Sequence, residues 1–280
     1  MKSLDNKVVV ITGAGSGIGR ALAVNLARKG SLLALSDVDD AGLAETVDLV
    51  KHAGAREVRS DHLDVSDRAA FVAYAAAVAE HFGRVNVVVN NAGVALAGDL
   101  DHLEYHDIDW ILGINLNGVL HGTKEFLPHL IASGDGHVVN LSSLFGLISM
   151  PGQSIYNASK YAVRGLTEAL REEMLIAGHN VGVTSVHPGG IKTAIARNAR
   201  VSEREDKAAT AKLFDEKLAK MTPERAAEII VKGILKNKAR VLVGLDAHAM
   251  HHLAKLTGSR YQDIVAKASQ KLVPPKATIV

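Results

Sequence analysis

The stretch TGAGSGIG, residues 12–19, follows directly on the apolar run KVVVI at residues 7–11. A short apolar run that ends in a glycine cluster and continues into a helical pattern is typical of the strand, turn and helix that open a nucleotide-binding sheet. The strict pattern G-x-G-x-x-G does not fit, because its last glycine would fall on Ile18 or on Arg20. The pattern that fits is T-G-x-x-x-G-x-G, with Thr12, Gly13, Gly17 and Gly19.

Two interpretations of this glycine loop compete. Glycines let a pyrophosphate approach the first amide groups of the following helix, where side chains would block it. The alternative is a flexible turn that binds no ligand. The loop stands at the beginning of a chain in which short apolar runs alternate with segments of helical period, so we interpret residues 12–19 as a phosphate-binding loop.

The alternation along the chain predicts the fold class. Several of the apolar runs are apolar on consecutive positions, as strands buried on both faces are. The segments between them have helical period, and two of them end in Gly30 and Gly83, the residue type that favours a left-handed helix cap. We therefore predict an α/β fold, a doubly wound parallel sheet of about seven strands (Rossmann fold) in a single domain. The predicted strands lie in KVVVI, SLLALSD, REVRSDHLDV, RVNVVVN, GHVVNLSS, VGVTSVHPG and ARVLVGL.

Two segments depart from this alternation. Residues 190–221 are polar and helical, and we expect them to be a substrate lid within a catalytic domain of residues 1–245. After residue 245 we predict a C-terminal extension, residues 246–280, of one or two helices and a tail that is extended at VPPK. The lid has apolar positions at helical spacing, namely Leu213, Phe214, Leu218 and Met221.

The composition argues against several classes of protein. The 32 basic and 30 acidic side chains give a formal net charge of +2, too small to indicate nucleic-acid binding. The absence of cysteine excludes disulfides and thiolate chemistry. No apolar stretch approaches the roughly 20 residues of a membrane helix, and Asp5, Asn6 and Lys7 lie where a signal peptide is apolar. We expect a cytoplasmic protein with no integral membrane segment.

Asp37 ends the second apolar run, about 20 residues after the glycine loop. A carboxylate at this place accepts hydrogen bonds from both hydroxyls of an adenosine ribose and repels a phosphate on the 2'-hydroxyl. Neither Ser16 in the loop nor Val38 after the acid supplies a positive charge that would offset this repulsion. The pattern predicts NAD rather than NADP as the cofactor. The alternative role of Asp37 is to cap the following helix.

YNASK, residues 156–160, places Tyr156 and Lys160 four positions apart in a segment of helical period. Residues at this spacing lie on the same face of a helix. A free tyrosine has a pKa of about 10, and an ammonium group nearby favours the phenolate. The pair is a candidate proton donor or acceptor, although an exposed lysine beside a half-buried tyrosine is the commoner meaning of the pattern. Ser143 ends a predicted strand, where ligands of parallel sheets bind.

Together these motifs resemble those of the classical short-chain dehydrogenase/reductases, from about residue 5 to about residue 245. The resemblance also includes Asp64 and Val65, NNAG at residues 90–93, Asn115 in NLNG, and PGGIKT at residues 188–193. The motifs stand in the order and at the approximate distances of that family. The resemblance implies an enzyme that interconverts a secondary alcohol and a ketone by hydride transfer. It also implies a homodimer or homotetramer.

The resemblance implies roles for individual residues. Tyr156 would be the acid/base, Ser143 would bind the substrate oxygen, and Lys160 would hold the nicotinamide ribose while lowering the tyrosine pKa. Asn115 would fix a water that passes protons toward solvent. The implied cofactor-binding residues, besides Tyr156 and Lys160, are Gly13, Ser16, Gly17, Ile18, Gly19, Asp37, Asp64, Val65, Asn91, Ala92, Gly93, Pro188, Gly189, Ile191 and Thr193.

Simpler roles stay open at several of these positions. Asn91 can stabilise its own turn instead of contacting the ribose, and Asp64 can cap a helix instead of meeting the adenine. Apolar residues after the predicted catalytic strand can line an apolar substrate pocket or belong to the core. These residues are Leu144, Phe145, Leu147, Ile148 and Met150.

We predict no metal site, because His248, His251 and His252 have no carboxylate or cysteine at a familiar ligand spacing.

Two other functions remain as alternatives. One is a protein that senses NAD(H) without catalysis, although such a protein would have lost part of the Ser, Tyr and Lys set. The other is a sugar-nucleotide epimerase or dehydratase, which also uses tyrosine and lysine on a Rossmann sheet. Chains of the latter kind are generally longer and begin with a different glycine pattern.

Overall fold

The computed structural model describes residues 1–272, so the predicted extended tail at VPPK lies outside the described residues. Within this range a seven-stranded parallel sheet has the order β3-β2-β1-β4-β6-β7-β9, and a separate pair joins β5 to β8. The strands are β1 (Val8–Thr12), β2 (Leu32–Asp37), β3 (Val58–His62), β4 (Val87–Asn90), β5 (Leu96–Ala97), β6 (Gly136–Leu141), β7 (Val181–Pro188), β8 (Arg200–Val201) and β9 (Arg240–Val243).

Helices cover both faces of the large sheet. They are α1 (Gly17–Ala27), α2 (Asp40–His52), α3 (Arg68–Phe82), α4 (Tyr105–Leu112), α5 (Gly118–Ala132), α6 (Ser154–Ile176), α7 (Lys207–Leu213), α8 (Pro223–Leu235), α9 (Leu245–Thr257) and α10 (Tyr261–Leu272). Helices α1, α2 and α8 pack on one face, and α3, α5 and α6 pack on the other. The prediction of a doubly wound Rossmann fold is confirmed.

Burial on both faces explains the consecutive apolar positions in the strands. In β1, Val9 and Ile11 point into the core under α1 and α8, whereas Val10 points into the core under α3 and α5. The same alternation divides Val88 from Val87 and Val89 in β4. A strand between two helix layers therefore has no polar face, and all seven predicted strands of the sheet occur.

The order of the sheet creates the crevice in which the site lies. Chain connections run outward in one direction from β1 to β3 and in the other from β4 to β9. At this reversal, the helices that follow β1 and β4 lie on opposite faces, so the carboxyl ends of β1 and β4 border an open crevice. Ligands of doubly wound sheets bind at such a reversal.

Two features of the structure were not expected from the sequence. Strands β5 and β8 have only two residues each, too few for any periodicity to appear. The third predicted strand, residues 56–65, is shorter than expected, because β3 ends at His62 and leaves Asp64 and Val65 in the following loop. The first difference concerns elements too short to show a period, and the second concerns the end of an element, where sequence patterns are weakest.

The two C-terminal helices, α9 and α10, cover the loop that follows β6. Ala247 of α9 and Tyr261 and Val265 of α10 form one buried cluster with Leu144 and Ile148. Leu144, Leu147 and Ile148 are therefore core residues, while Phe145 and Met150 are only partly buried. The core role that the sequence left open therefore applies to Leu144, Leu147 and Ile148.

Phe126 of α5 offers a test of the core. Its ring is fully buried and meets the rings of Phe71 and Tyr74 of α3 edge to face, at centroid distances of 6.3 and 6.1 Å. Phe126→Ala leaves a cavity, so we expect the free energy of unfolding to fall by about 3–5 kcal/mol. Chemical denaturation measures it, and Val72→Ala at a partly exposed position of α3 is the control. A loss below about 1 kcal/mol for Phe126→Ala would contradict this packing.

Candidate active site

The glycine loop between β1 and α1 is packed too closely to accept side chains. Gly13 has φ +66°, and a Cβ there would lie 2.7 Å from the Cα of Ala92. A Cβ on Gly19 would collide with the Gly13 carbonyl oxygen. The tight turn aims the first amide groups of α1 at the crevice, as a pyrophosphate requires. The loop therefore fits a dinucleotide cofactor.

Hydrogen bonds fasten this loop to the turn after β4. The Thr12 hydroxyl accepts from the backbone N–H groups of Asn91 and Ala92, both at 3.1 Å. The Asn91 amide donates to the carbonyl oxygens of Thr12 and Gly13, both at 2.9 Å. The Asn91 side chain thus joins two turns, a role close to the simpler one that the sequence left open.

Asp37 lies at the end of β2, against the glycine loop. Its carboxylate accepts from the N–H of Gly15 at 2.7 Å and from the N–H of Asp39 at 3.0 Å. The capping alternative for Asp37 is wrong, because Asp39 caps α2 by accepting from the Gly42 N–H at 3.1 Å. The charge of Asp37 is thus held beside the loop, and neighbouring Val38 is exposed.

Arg20 is a positive charge near the loop that the sequence analysis did not weigh. Its guanidinium donates to the Gly15 carbonyl, to the Gly42 carbonyl at 3.0 Å and to the Glu45 carboxylate at 2.9 Å. Its Nε donates to the Thr46 hydroxyl at 3.0 Å. These bonds tie the loop to α2 and pair the charge with Glu45. The sequence signal for this role is that Arg20 is a basic residue directly after Gly19, the last glycine of the loop.

Asp64 and Val65 follow β3, and the structure gives them different environments. The exposed Asp64 carboxylate accepts from the N–H and the hydroxyl of Ser66, at 2.9 and 2.7 Å. The cap of α3 is Asp67, so the capping alternative for Asp64 is also wrong. Val65 is buried, and a Cβ on Gly118 of α5 would lie 2.6 Å from its Cγ2.

Tyr156, Lys160 and Ser143 come together at the carboxyl end of β6. Tyr156 and Lys160 are one turn apart in α6, and the Lys160 Nζ lies 5.7 Å from the centre of the tyrosine ring. The Ser143 hydroxyl lies close enough to the Tyr156 hydroxyl to influence the pKa of the phenol. The Lys160 Nζ donates to the Leu141 carbonyl at 3.1 Å. All three side chains are buried.

Asn115 approaches the same place from a π-helical segment between α4 and α5, Gly113–Asn117. Its amide pairs with the backbone of Val94, accepting from the N–H at 2.8 Å and donating to the carbonyl at 2.9 Å. A Cβ on Gly93 would lie 3.2 Å from the Asn115 Oδ1 and 3.4 Å from the Lys160 Nζ. Gly93 therefore marks where the two side chains converge. Single π-turns are frequent at functional sites.

Burial dominates the electrostatics of this cluster. It raises the pKa of Tyr156 above its usual value, and the interaction with Ser143 opposes this rise. It lowers the pKa of Lys160 to about 8. The expected lowering of the tyrosine pKa by Lys160 is not seen, because burial raises this pKa and the effect that opposes burial comes from Ser143. Ser143 is the side chain that favours the phenolate here.

Pro188 ends β7, and the turn that follows it returns to the glycine loop. A Cβ on Gly17 would lie 3.1 Å from the Thr193 Cγ2, so residues 17 and 193 face each other. Ile191 is buried, and the Gly190 N–H donates to the Asp246 carboxylate at 2.6 Å. The structure therefore brings the PGGIKT turn against the phosphate-binding loop. Asp246 lies in α9, where the sequence gave no signal for it.

Apolar side chains surround the Tyr156 ring. Phe145 meets it edge to face at 6.0 Å, and Val94, Trp110 and Ile155 lie in the same partly buried cluster. The Arg200 guanidinium of β8 stacks on Trp110 at 4.0 Å and pairs with Asp107 at 2.8 Å. The wall beside the hydroxyl cluster is therefore mainly apolar.

His187 is a buried residue near the site that the sequence analysis missed. It precedes Pro188 in β7, and its Nδ1 lies 2.8 Å from the Ser143 carbonyl oxygen. A histidine inside an apolar strand gives no sequence signal for such a distant partner.

A second group of histidines lies in α9. The rings of His251 and His252 lie 5.5 Å apart, and within residues 1–272 no group of three potential metal-ligating side chains occurs.

No helix within residues 1–272 has both the length and the apolar character needed to cross a membrane.

Comparison with known proteins agrees with this geometry. The sequence profile described as short chain dehydrogenase matches residues 7–204. The chain belongs to this family. It is 59% identical over 274 residues to SadH of Mycobacterium tuberculosis, named as a candidate oxidoreductase, covering 98% of this chain and 99% of SadH.

Two further relatives support the assignment. A short chain dehydrogenase/reductase from Burkholderia phymatum, crystallised in complex with NAD, is 34% identical, with a TM-score of 0.83 and full coverage of both chains. The 3-oxoacyl-[acyl-carrier-protein] reductase FabG of Thermotoga maritima is 34% identical over 230 residues, covering 81% of this chain and 90% of FabG. The chain is therefore an oxidoreductase of the short-chain dehydrogenase family, with a fold that supports a nicotinamide cofactor.

Gly19 tests the phosphate-binding loop. Gly19→Ala places a methyl group against the Gly13 carbonyl oxygen and should distort the turn. We expect NADH to bind at least about tenfold more weakly, measured by fluorescence titration. Gly165→Ala in α6 is the matched control, because its Cβ would meet nothing within 4 Å. Unchanged NADH affinity in Gly19→Ala would show that the loop does not hold the dinucleotide.

Proposed function

We propose that the chain is an NAD-dependent oxidoreductase that interconverts a secondary alcohol and a ketone, with Tyr156 as the acid/base. The observation that carries this proposal is the buried cluster in which Ser143 and Lys160 lie beside Tyr156, with the Lys160 ammonium 5.7 Å from the centre of the tyrosine ring. Two hydroxyl groups and an ammonium at the carboxyl end of a parallel strand can bind an alcohol oxygen and exchange its proton.

In this reaction each side chain of the site has a separate role. The Ser143 hydroxyl holds the substrate oxygen beside Tyr156, and the Tyr156 oxygen takes the alcohol proton in oxidation or returns it in reduction. Lys160 holds a ribose hydroxyl and supplies positive charge next to the phenol. Asn115 fixes a water that carries the proton toward solvent. NAD, when bound, supplies the acceptor for the hydride that leaves the carbinol carbon.

The proposed cofactor is NAD, held as the sequence analysis implies by the loop, Asp37, the NNAG turn and the PGGIKT turn. The support is the Asp37 carboxylate, fixed at the end of β2 by the N–H groups of Gly15 and Asp39. It would bind the ribose hydroxyls and repel a 2'-phosphate. The Arg20 guanidinium, which bonds to Gly15 of the same loop, is paired with Glu45.

The substrate is proposed to be apolar near its reacting carbon. Val94, Trp110, Phe145 and Ile155 form the wall beside Tyr156, and burying apolar substrate surface against them is favourable.

We further propose that residues 190–221 form the substrate lid of a catalytic domain, residues 1–245, with residues 246–280 as an extension. The proposed enzyme works in the cytoplasm as a homodimer or homotetramer, built largely through the helices that contain Asn115 and Tyr156.

The non-catalytic and sugar-nucleotide alternatives have less support. A sensor has no need of a tyrosine, a serine and a lysine placed together in a buried cluster. An epimerase or dehydratase requires space and polar partners for a sugar nucleotide, whereas the wall beside Tyr156 is apolar. Binding of a sugar nucleotide would favour the second alternative.

Tyr156 tests the reaction. Tyr156→Phe removes the proton-transferring oxygen and keeps the ring, so we expect kcat to fall by a factor of about 10²–10⁴. NADH binding should change little, because the loop is untouched. The measurement is the initial rate of NADH formation from secondary alcohols, from short aliphatic to steroid-sized. Retained turnover in Tyr156→Phe would contradict the assignment.

Asp37 tests the choice of cofactor. Asp37→Asn removes the charge but keeps an oxygen that can accept from the Gly15 N–H. We expect the ratio of kcat/KM for NADP to that for NAD to rise by at least about tenfold, because the repulsion of the 2'-phosphate is lost. Asp40→Ala, at an exposed carboxylate that pairs with His62, is the control and should leave the ratio unchanged. An unchanged ratio in Asp37→Asn would argue against this role.

A further inference from the structure

His187 is fully buried between two serines. Its Nδ1 lies 2.8 Å from the backbone carbonyl oxygen of Ser143, and its Nε2 lies 2.9 Å from the hydroxyl oxygen of Ser185. Both nitrogens of the ring therefore have a partner. A buried imidazole with two bonds is fixed in orientation.

Only one arrangement of protons satisfies both bonds. A carbonyl oxygen can only accept, so Nδ1 carries the hydrogen that it donates to Ser143. Burial lowers the pKa of His187 to about 4, so the ring is neutral near pH 7. Nε2 therefore has a free lone pair, and the Ser185 hydroxyl donates to it. The tautomer is determined by its neighbours.

The bond to Ser143 joins β7 to the turn that follows β6. The two strands are joined by the Ser142 N–H, which donates to the Val186 carbonyl at 2.9 Å. After it the chain turns away into a helical turn, Leu144–Gly146, whereas β7 continues to Pro188. Within this turn the Gly146 N–H donates to the Ser143 carbonyl at 3.0 Å, and the imidazole of His187 is the second donor to the same oxygen. The His187 bond therefore ties the turn to β7.

Ser143 connects His187 to the proton-transferring group. The Ser143 Oγ accepts from the Phe145 N–H at 3.1 Å and lies beside the Tyr156 hydroxyl. The interaction of Ser143 with Tyr156 favours the phenolate against the effect of burial. The direction of the Ser143 side chain follows from its backbone, and the Ser143 carbonyl is held by the Gly146 N–H and by the Nδ1–H of His187.

We propose that His187 is a positioning residue, which holds the Ser143 backbone so that the Ser143 hydroxyl stays aligned with Tyr156. The inference rests on the proposed function of Ser143 and Tyr156. It requires no contact between His187 and substrate or cofactor. His187 lies between the buried part of β7 and the PGGIKT turn.

The charged groups around this chain of bonds are few and can be kept constant. Lys160 faces the Tyr156 ring, and the charges that act on His187 are those of Arg164, Glu168 and Arg240. Glu168 pairs with both arginines. Substitution of the neutral His187 leaves these charges in place. A change in the titration of Tyr156 would then report a change at Ser143.

The variants distinguish the effect of the His187–Ser143 hydrogen bond from the effect of the buried side-chain volume. His187→Leu removes the bond to Ser143 and keeps an apolar side chain of similar size, whereas His187→Asn keeps an N–H donor at about the position of Nδ1. Ser185→Ala removes the donor to Nε2 and is used if His187→Leu does not fold. His137→Leu is the matched control, because His137 is equally buried, donates to or accepts from Thr184 at 2.8 Å, and lies at the other end of β6.

The first readout is the titration of the Tyr156 phenol in the cofactor-free protein, followed by NMR of isotope-labelled tyrosine ζ-carbons and assigned with Tyr156→Phe. We expect the pKa of Tyr156 to rise by about half a unit or more in His187→Leu, because the interaction with Ser143 that opposes burial is weakened. His187→Asn should restore the original titration. His137→Leu should lower stability without moving it, and Ser185→Ala should shift it upward by a smaller amount.

The second readout is the pH profile of alcohol oxidation with NAD. In His187→Leu the rising limb should move to higher pH, and kcat should fall by about tenfold or more while the KM for NAD stays within about twofold. An unmoved phenol titration in His187→Leu, or an equal shift in His137→Leu, would overturn the proposal. Absence of Tyr156-dependent turnover in the unaltered protein would instead overturn the proposed function, and the cofactor-free titration would still decide the role of His187.

Discussion

The contact between the glycine loop and the turn after β4 is the constraint on which the site depends. Thr12 and Asn91 join the ends of β1 and β4 by four hydrogen bonds, and the absence of a Cβ at Gly13 lets the two turns touch. These strands are neighbours at the reversal of the sheet, where their following helices lie on opposite faces. The crevice is therefore held open by backbone geometry, and the cofactor-binding and catalytic groups are arranged around it.

A second feature is the row of buried polar groups at the ends of β6 and β7. Ser185, His187, Ser143 and Tyr156 follow one another from the interior of the sheet to the apolar wall at the site. Both ring nitrogens of His187 have a partner, as the high cost of leaving a buried polar group unpaired requires. Such a row can fix the direction of one hydroxyl group to the precision that proton transfer needs.

The sequence predicted those parts of the molecule that depend on local pattern. The seven strands of the sheet could be recognised because burial on two faces makes strands such as VVVIT apolar throughout. Tyr156 and Lys160 could be placed together because a helical period puts residues four apart on one face. Partners distant in the chain could not be predicted. Asp246 and Gly190, or His187 and Ser143, meet only after folding, and a two-residue strand such as β5 shows no period. The capping roles left open for Asp37 and Asp64 were wrong, because residue type alone does not distinguish Asp37 from Asp39 or Asp64 from Asp67.

The central claim is that this chain moves a hydride from an alcohol carbon under the control of Tyr156. The most direct measurement uses secondary alcohols that carry deuterium on the carbinol carbon, with NAD, and follows the label by mass spectrometry of the nicotinamide product. Transfer of the label to the nicotinamide ring by the unaltered protein, and its loss in Tyr156→Phe, is the predicted result. Label transfer that persists in Tyr156→Phe, or NADH formed without the label, would contradict the claim.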